Sequence, residues 1–191
     1  MKVVAFNGSP REQGNTTVLL KTVLAELAGE GIETEIVHLA GKAILGCRAC
    51  YQCFGKPDGH CAVTGDAVNG CIDKMRAADG IILGSPTYFA DIAATMKALI
   101  ERAGMTARAN GDMLRRKVGA GVVTVRRAGA IHAFSSLNHF FLIGQMIVVG
   151  SSYWNVGIGL EPGDVEKDSE GVQTMKVLGQ NMAWLLKKLH T

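Results

Sequence analysis

The sequence predicts an α/β fold, in which a doubly wound parallel sheet carries helices on both faces. Short runs of aliphatic and β-branched residues alternate along the chain with longer segments whose apolar residues recur every three or four positions. Strands that alternate with helices form parallel sheets covered by right-handed crossover connections. The predicted strands are residues 3–6, 35–39, 80–84, 120–125 and 146–150.

Three helices have the clearest apolar spacing, and together with the five strands they predict a flavodoxin-like sheet of order 2-1-3-4-5. A further helix is predicted where Val68, Cys71, Ile72 and Met75 share one face, so Cys71 is expected to be a buried core thiol. The apolar positions of the three clearest helices are Val18, Leu19, Val23, Leu24 and Leu27; Met96, Leu99, Ile100 and Ala103; and Met175, Leu178, Met182, Leu185 and Leu189.

Length and composition favour one domain over residues 1–191, because no linker-like stretch divides the chain. No apolar run reaches the roughly 18 residues of a membrane span, and the first residues lack the pattern of a signal peptide. We therefore expect a cytoplasmic protein without a membrane span. The net charge of +3 is spread along the chain, which does not suggest a nucleic-acid partner.

Ligands of such sheets bind at the carboxyl ends of the strands, so the loops that follow strands one, three and four are candidate binding loops. The first loop, NGSPREQGNTT, has neither of the usual nucleotide-binding glycine patterns. Ser9, Asn15, Thr16 and Thr17 offer donors at the start of a helix, and Arg11 adds charge, which favours binding of a phosphate. Alternatively, Asn15 only caps the helix and the glycines only turn the chain.

The second and third loops suit a planar ligand. Tyr88 and Phe89 follow Pro86 and Thr87 at the end of strand three, where aromatic rings can form a stacking platform. The loop TVRRAGA brings Arg126 and its neighbour to the same edge, where a cation would stabilise an anionic reduced flavin. The alternative for these arginines is a solvated turn.

Four cysteines lie within sixteen residues, with gaps of two, two and seven, in an insertion at about 46–62. A reducing cytosol disfavours disulfides, so metal or redox chemistry is the better interpretation. The spacing suits an iron-sulfur cluster, although four thiolates also satisfy Zn²⁺, for which His60 is a substitute donor, and reduced sensing thiols remain a third possibility. The four residues are Cys47, Cys50, Cys53 and Cys61.

The chain resembles the NADPH-dependent FMN reductase and multimeric flavodoxin family over essentially its whole length. The resemblance rests on NGSPREQGNTTVLL, DGIILGSPTYFADIAATMKALIER, TVRRAGA and VVGSSYWNVG. The cysteine spacing narrows it to the iron-sulfur flavoproteins, whose pattern is C-x2-C-x2-C-x4 to 7-C. In that family paired acidic residues commonly follow the fourth cysteine, and here these positions are Gly65 and Asp66.

The resemblance implies FMN, a 4Fe-4S cluster held by the four cysteines, and NAD(P)H as the reductant of a flavin-dependent oxidoreductase with an unknown electron acceptor. The flavin carries the chemistry, so no catalytic side chain is named. Two alternatives stay open: an electron carrier without nicotinamide activity, and a zinc or thiol redox sensor. The implied FMN-binding residues are Ser9, Arg11, Asn15, Thr16, Thr17, Pro86, Thr87, Tyr88, Phe89, Thr124, Arg126 and Gly129.

The resemblance also implies a homodimer or homotetramer. The segment 151–171 is too long and glycine-rich for an ordinary crossover, and its Tyr153 and Trp154 suit an interface. The alternative is a flap over the chain's own flavin. The cysteines follow the carboxyl end of strand two, so we expect the cluster on the same side of the molecule as the flavin loops. Strand two is the edge strand of the sheet, away from the flavin ring, so we expect the cluster near a subunit interface.

Overall fold

The structure, a computed structural model, describes residues 1–190, so Thr191 of the predicted domain lies outside the described part. Within these residues there are seven strands, six α-helices and a short 3-10 helix at Asp164–Lys167. The strands are β1 (Lys2–Asn7), β2 (Glu33–His38), β3 (Gly80–Tyr88), β4 (Asp91–Ile92), β5 (Val118–Val125), β6 (Ile147–Val148) and β7 (Val156–Ile158). The helices are α1 (Asn15–Gly29), α2 (Gln52–Gly55), α3 (Val68–Ala77), α4 (Ala94–Ala109), α5 (Ala130–Ile143) and α6 (Ser169–Leu189).

The main sheet is parallel and has the order β2-β1-β3-β5-β6, which confirms the predicted flavodoxin-like order. The prediction of five strands is corrected to seven. One additional strand, β4, forms a short antiparallel hairpin with the end of β3, where Thr87 pairs with Ile92. Strand β3 therefore continues beyond residue 84, and Pro86, Thr87 and Tyr88 belong to the strand instead of the loop.

The other additional strand arises because the fifth position in the sheet is divided between two pieces. β6 pairs with the beginning of β5 and β7 pairs with its end, while residues 149–155 loop out between them. The Asn155 side chain bridges the gap by donating to the Gly121 carbonyl at 3.0 Å, where a continuous strand would use a backbone N–H. Apolar periodicity cannot reveal such short pieces, since a two- or three-residue strand contains no complete repeat.

Alternating side chains of the strands build a core on each face of the sheet. Val3 and Ala5 of β1 pack toward α1 and α6, whereas Val4 and Phe6 pack toward α3, α4 and α5. The prediction of helices on both faces is confirmed. Cys71 is only 2% exposed within the second of these cores, as expected, and burial raises the pKa of its thiol.

No helix within residues 1–190 combines the length and the apolar character that crossing a membrane requires.

Candidate functional site

Asn7, the last residue of β1, fixes the loop that follows it. Its side-chain oxygen accepts from the Ser9 backbone N–H at 2.9 Å, and its amide nitrogen donates to the Thr17 hydroxyl at 2.8 Å. The Gly8 N–H donates to the Gly84 carbonyl at 2.8 Å and so joins the loop to β3. A Cβ at Gly8 would lie 2.8 Å from that of Met96, which explains the glycine there. The loop is therefore preorganised at the beginning of α1.

The end of β3 turns back through two residues in the left-handed region, Phe89 (φ 46°) and Ala90 (φ 64°). Gly129, which precedes α5 with φ 88°, lies against this turn, and a Cβ there would approach the Ala90 Cα to 2.9 Å. Glycine at this position thus permits two loops to meet. Its structural role is the close approach of the hairpin to the beginning of α5.

The loops after β1, β3, β5 and β7 enclose a cleft of about 170 Å³ at the carboxyl edge of the sheet. Nine of the twelve predicted FMN-binding residues line it. These are Ser9, Arg11, Asn15, Thr16, Pro86, Thr87, Tyr88, Thr124 and Arg126.

Three predicted residues are not part of this lining. The Thr17 hydroxyl is occupied by Asn7 and by the Glu12 carbonyl, so it stabilises the loop. The Phe89 ring is fully exposed at the tip of the hairpin. Gly129 supports the hairpin from behind. Of the two predicted aromatic rings, the cleft is therefore lined by that of Tyr88 alone.

The polar side chains of the cleft present both donors and positive charge. The Thr16 and Thr124 hydroxyls lie 2.8 Å apart and are buried. The Thr87 hydroxyl is also buried, and it has no hydrogen-bond partner within residues 1–190. Because an unpaired buried hydroxyl is unfavourable, this group is suited to a ligand in the cleft. The cations Arg11 and Arg126 are exposed at its mouth and favour an anionic ligand.

Two further lining residues, Gly159 and Leu160, follow β7 and were not predicted from the sequence. Asn15 reaches across to this segment: its side-chain oxygen accepts from the Gly163 N–H at 2.8 Å, and a Cβ at Gly159 would lie 2.8 Å from its nitrogen. Gly14 is the N-cap of α1, so Asn15 does not cap this helix. Asn15 lines the cleft and also attaches the segment after β7. Prediction of β7 would have placed this segment at the carboxyl edge of the sheet, but a three-residue strand is too short to be recognised from the sequence.

The four clustered cysteines line a second, smaller cavity of about 20 Å³ against α4, and each is a free thiol. Burial raises the pKa of the Cys53 thiol, and the charges of the other three raise it further, as expected for neighbouring thiols. Within residues 1–190, no three histidine, cysteine, aspartate or glutamate side chains converge closely enough to hold a metal ion. The thiols thus surround a space that is not larger than about one water molecule.

The donor set nevertheless fits an iron-sulfur cluster. It consists of thiols only, with the spacing that such clusters use, in a largely exposed segment. Ala49 (φ 50°) and Tyr51 (φ 55°) adopt left-handed conformations between the first three cysteines, a strained arrangement that is common at functional sites. His60 is not part of the cavity lining, and its Nε2 lies 3.0 Å from Asp73 Oδ1.

Arg102 of α4 joins this cysteine segment to the rest of the fold. Its side chain is 0% exposed and forms an ion pair with Asp66, the acidic residue that follows the fourth cysteine. Burial acts to raise the pKa of Asp66, but the hydrogen bonds from Arg102 and Val68 outweigh it, and the pKa lies below its usual value. Arg102 also donates to the Val63 carbonyl at 2.6 Å and to the Leu45 carbonyl at 3.3 Å.

The cysteine segment does not remain at the carboxyl edge, where the sequence placed it. It runs along α4, and the Gly59 N–H donates to Asn110, which follows the end of that helix, at 2.7 Å. Arg102 and Thr106 lie eight and twelve residues after Ala94, which begins α4 beside the hairpin. At 1.5 Å per residue, the cavity is about 12 to 18 Å along the helix from the hairpin end.

We predict that Arg102→Met lowers the free energy of unfolding by about 3 to 5 kcal/mol, because it leaves Asp66 buried without its partner. The matched control is Lys167→Met, which breaks the exposed ion pair with Asp164 and should change the free energy of unfolding far less, because exposed ion pairs contribute little to stability. Urea titrations of the two variants provide the measurement. Equal midpoints for both would contradict the role assigned to Arg102.

Known proteins resemble this chain over most of its length. The sequence profile of the NADPH-dependent FMN reductase family matches residues 1–161. An iron-sulfur flavoprotein of Methanocaldococcus jannaschii is 41% identical to the chain over 194 residues, covering 98% of each protein.

Two solved structures share the fold. The crystal structure of RosB with the bound intermediate 8-demethyl-8-formylriboflavin-5'-phosphate gives a TM-score of 0.78 at 18% identity, covering 100% of this chain and 80% of that one. A WrbA-like flavodoxin from Agrobacterium tumefaciens gives 0.68 at 16% identity, covering 98% and 97%. From the profile match and the identity to its relative, we conclude that the chain belongs to the iron-sulfur flavoproteins of the NADPH-dependent FMN reductase family.

Proposed function

We propose that the protein binds FMN in the cleft at the carboxyl edge of the sheet and acts as an oxidoreductase that takes electrons from NAD(P)H. The observation that carries this proposal is the convergence of nine predicted FMN-binding residues on one cleft. The family to which the chain belongs is named for FMN reduction with NADPH. Bound FMN would supply hydride and single-electron chemistry that side chains do not provide.

The inner part of the cleft suits the phosphate of FMN. Ser9 and Thr16 line it beside the beginning of α1, where free backbone N–H groups and the helix dipole favour an anion. Arg11 contributes a positive charge at the mouth. Thr87 supplies a buried hydroxyl without another partner within residues 1–190.

The outer part of the cleft suits the flavin ring. Pockets that enclose a whole cofactor are usually about 300 Å³ or larger, so a cleft of about 170 Å³ encloses only part of FMN. The ring would then lie at the open edge, with Tyr88 as its aromatic neighbour. Arg126 at the same edge would stabilise negative charge on the reduced flavin.

The four clustered cysteines are proposed to ligate a 4Fe-4S cluster that passes single electrons from FMN to an external acceptor. All four thiols line one cavity, and the relative from M. jannaschii bears the name iron-sulfur flavoprotein. NAD(P)H would deliver two electrons to FMN as a hydride, and a cluster would accept them from reduced FMN one at a time. Cys71 lies in the core, outside that cavity, and is assigned no ligand role.

A second copy of the chain is proposed to pack against the edge formed by β6 and β7. Tyr153 and Trp154 are 64% and 55% exposed there, and they line an apolar groove of about 520 Å³. Trp184 is 63% exposed on α6, which is joined to the same loop by the bond from Asn181 to the Gly150 carbonyl. We predict a dimer or tetramer by light scattering at micromolar concentration, and a monomer would exclude this interface.

The phosphate assignment predicts that Thr16→Val weakens FMN binding. Loss of a hydrogen bond to a charged group is worth about 1.5 to 3 kcal/mol, so the dissociation constant should rise at least about tenfold. Thr22→Val is the control, because that residue is on the same helix and donates to the Val18 carbonyl instead of facing the cleft. Fluorescence titration of apoprotein with FMN measures both, and equal affinities would rule out this assignment.

The cluster assignment predicts that Cys50→Ala abolishes iron binding and single-electron transfer, whereas FMN and its reduction by NAD(P)H persist, because the cleft does not include this residue. Cys71→Ala is the control and should retain iron, with some loss of stability from the cavity it leaves in the core. Iron analysis and anaerobic mixing with NADH or NADPH provide the measurements.

Loss of iron from Cys71→Ala together with its retention in Cys61→Ala would show that the ligands are assigned wrongly. Flavin that is bleached only by a protein reductant, and never by NADH or NADPH, would identify an electron carrier without nicotinamide activity.

A further inference from the structure

One face of α4 contributes polar side chains to the cysteine cavity. Arg102, Met105 and Thr106 line it together with the four cysteines. Arg102 and Thr106 are buried to 1% and 0% exposure, in a part of the chain where the cysteines themselves are mostly exposed or half-buried. The polar groups are therefore buried on a helix, whereas the thiols are on a largely exposed segment.

The Thr106 hydroxyl forms no hydrogen bond that stabilises the described part of the fold. Its Oγ1 is buried and has no hydrogen-bond partner within residues 1–190. A helical threonine commonly donates to the carbonyl four residues earlier, and this one does not. Leaving a buried hydroxyl unpaired is unfavourable, so its presence in the wall of this cavity points to a partner that the cavity receives.

Arg102 already directs a donor at a cysteine sulfur. Its Nε donates to Cys61 Sγ at 3.3 Å. The other nitrogens of the guanidinium are held by Asp66 and by the Leu45 and Val63 carbonyls, so the plane of the group is fixed. The N–H toward Cys61 is thus a permanent feature of the cavity wall.

We propose that Arg102 and Thr106 form a donor face that raises the reduction potential of the iron-sulfur cluster held by the four cysteines. This inference rests on the proposed function, because it requires the cluster. Reduction adds negative charge to the cluster and its sulfurs, and donors or cations beside the sulfurs stabilise that charge. Arg102 and Thr106 are positioning and tuning residues, since neither is proposed to ligate iron.

The direct test is a redox titration of anaerobically purified Thr106→Val, monitored by the cluster's EPR signal and visible absorbance. Valine preserves the shape of the side chain and removes the donor, so the cluster potential should shift downward while the FMN potential and the iron content stay at wild-type values. Thr174→Val is the matched control, since it is a buried threonine on α6, on the opposite face of the sheet, and should leave the cluster potential unchanged.

Two further variants separate tuning from a merely structural role. Thr106→Ser keeps the hydroxyl and should restore the wild-type potential, whereas Thr106→Ala should reproduce the downward shift even if valine does not fold. Arg102→Lys keeps a charge opposite Asp66 but loses the fixed donor to Cys61, so it should also lower the potential and release iron faster to a chelator.

A wild-type protein that contains iron and sulfide, but whose cluster potential is the same in Thr106→Val, Thr106→Ala and Thr106→Ser, overturns the donor face alone. A wild-type protein without iron, or with zinc in its place, overturns the cluster and the donor face together, while the FMN assignment still stands on its own binding measurement.

Discussion

Parallel pairing of β1, β3 and β5 is the constraint on which the cleft depends. It aligns the carboxyl ends of the three strands, so that Asn7 lies beside Gly84 and Pro86 beside Thr124. Loops distant in sequence therefore meet at one edge. Asn7 accepts from the Ser9 N–H and donates to the Thr17 hydroxyl, which fixes the first loop before any ligand binds, and Gly129 permits the hairpin to approach the beginning of α5. Such preorganisation favours tight binding, because little ordering remains to be done when the ligand enters.

The cysteine segment depends on a different interaction, the buried contacts of Arg102. One guanidinium satisfies Asp66, two carbonyls and one sulfur, and so attaches a mostly exposed loop to a rigid helix. This attachment explains why the thiols lie along α4 and not at the cleft. The cysteine cavity lies about 12 to 18 Å along α4 from the hairpin end of the helix, so the proposed cluster and the proposed flavin occupy different regions of the chain.

Much of this organisation was predictable from the sequence, because it depends on local patterns. Periodicity located the main strands and the core position of Cys71, and the alternation of strands with helices indicated the flavodoxin-like order of the sheet. Nine of the residues predicted in the loops line the cleft. The remainder depends on contacts between distant residues. No local sequence pattern indicates that Arg102 pairs with Asp66, which lies 36 positions earlier. The same holds for Thr17 and Gly129, which support loops instead of lining the cleft. Gly159 was missed because β7 is only three residues long.

The proposed function requires that one chain hold both a flavin and an iron-sulfur cluster at separate places. Protein purified without oxygen tests it most directly, by chemical analysis of FMN, iron and acid-labile sulfide together with its visible spectrum before and after addition of NADPH. We expect about one FMN and about four iron and four sulfide per chain, with broad sulfur-to-iron absorbance beneath flavin bands that NADPH bleaches. Flavin bands alone, with zinc or no metal, would contradict it.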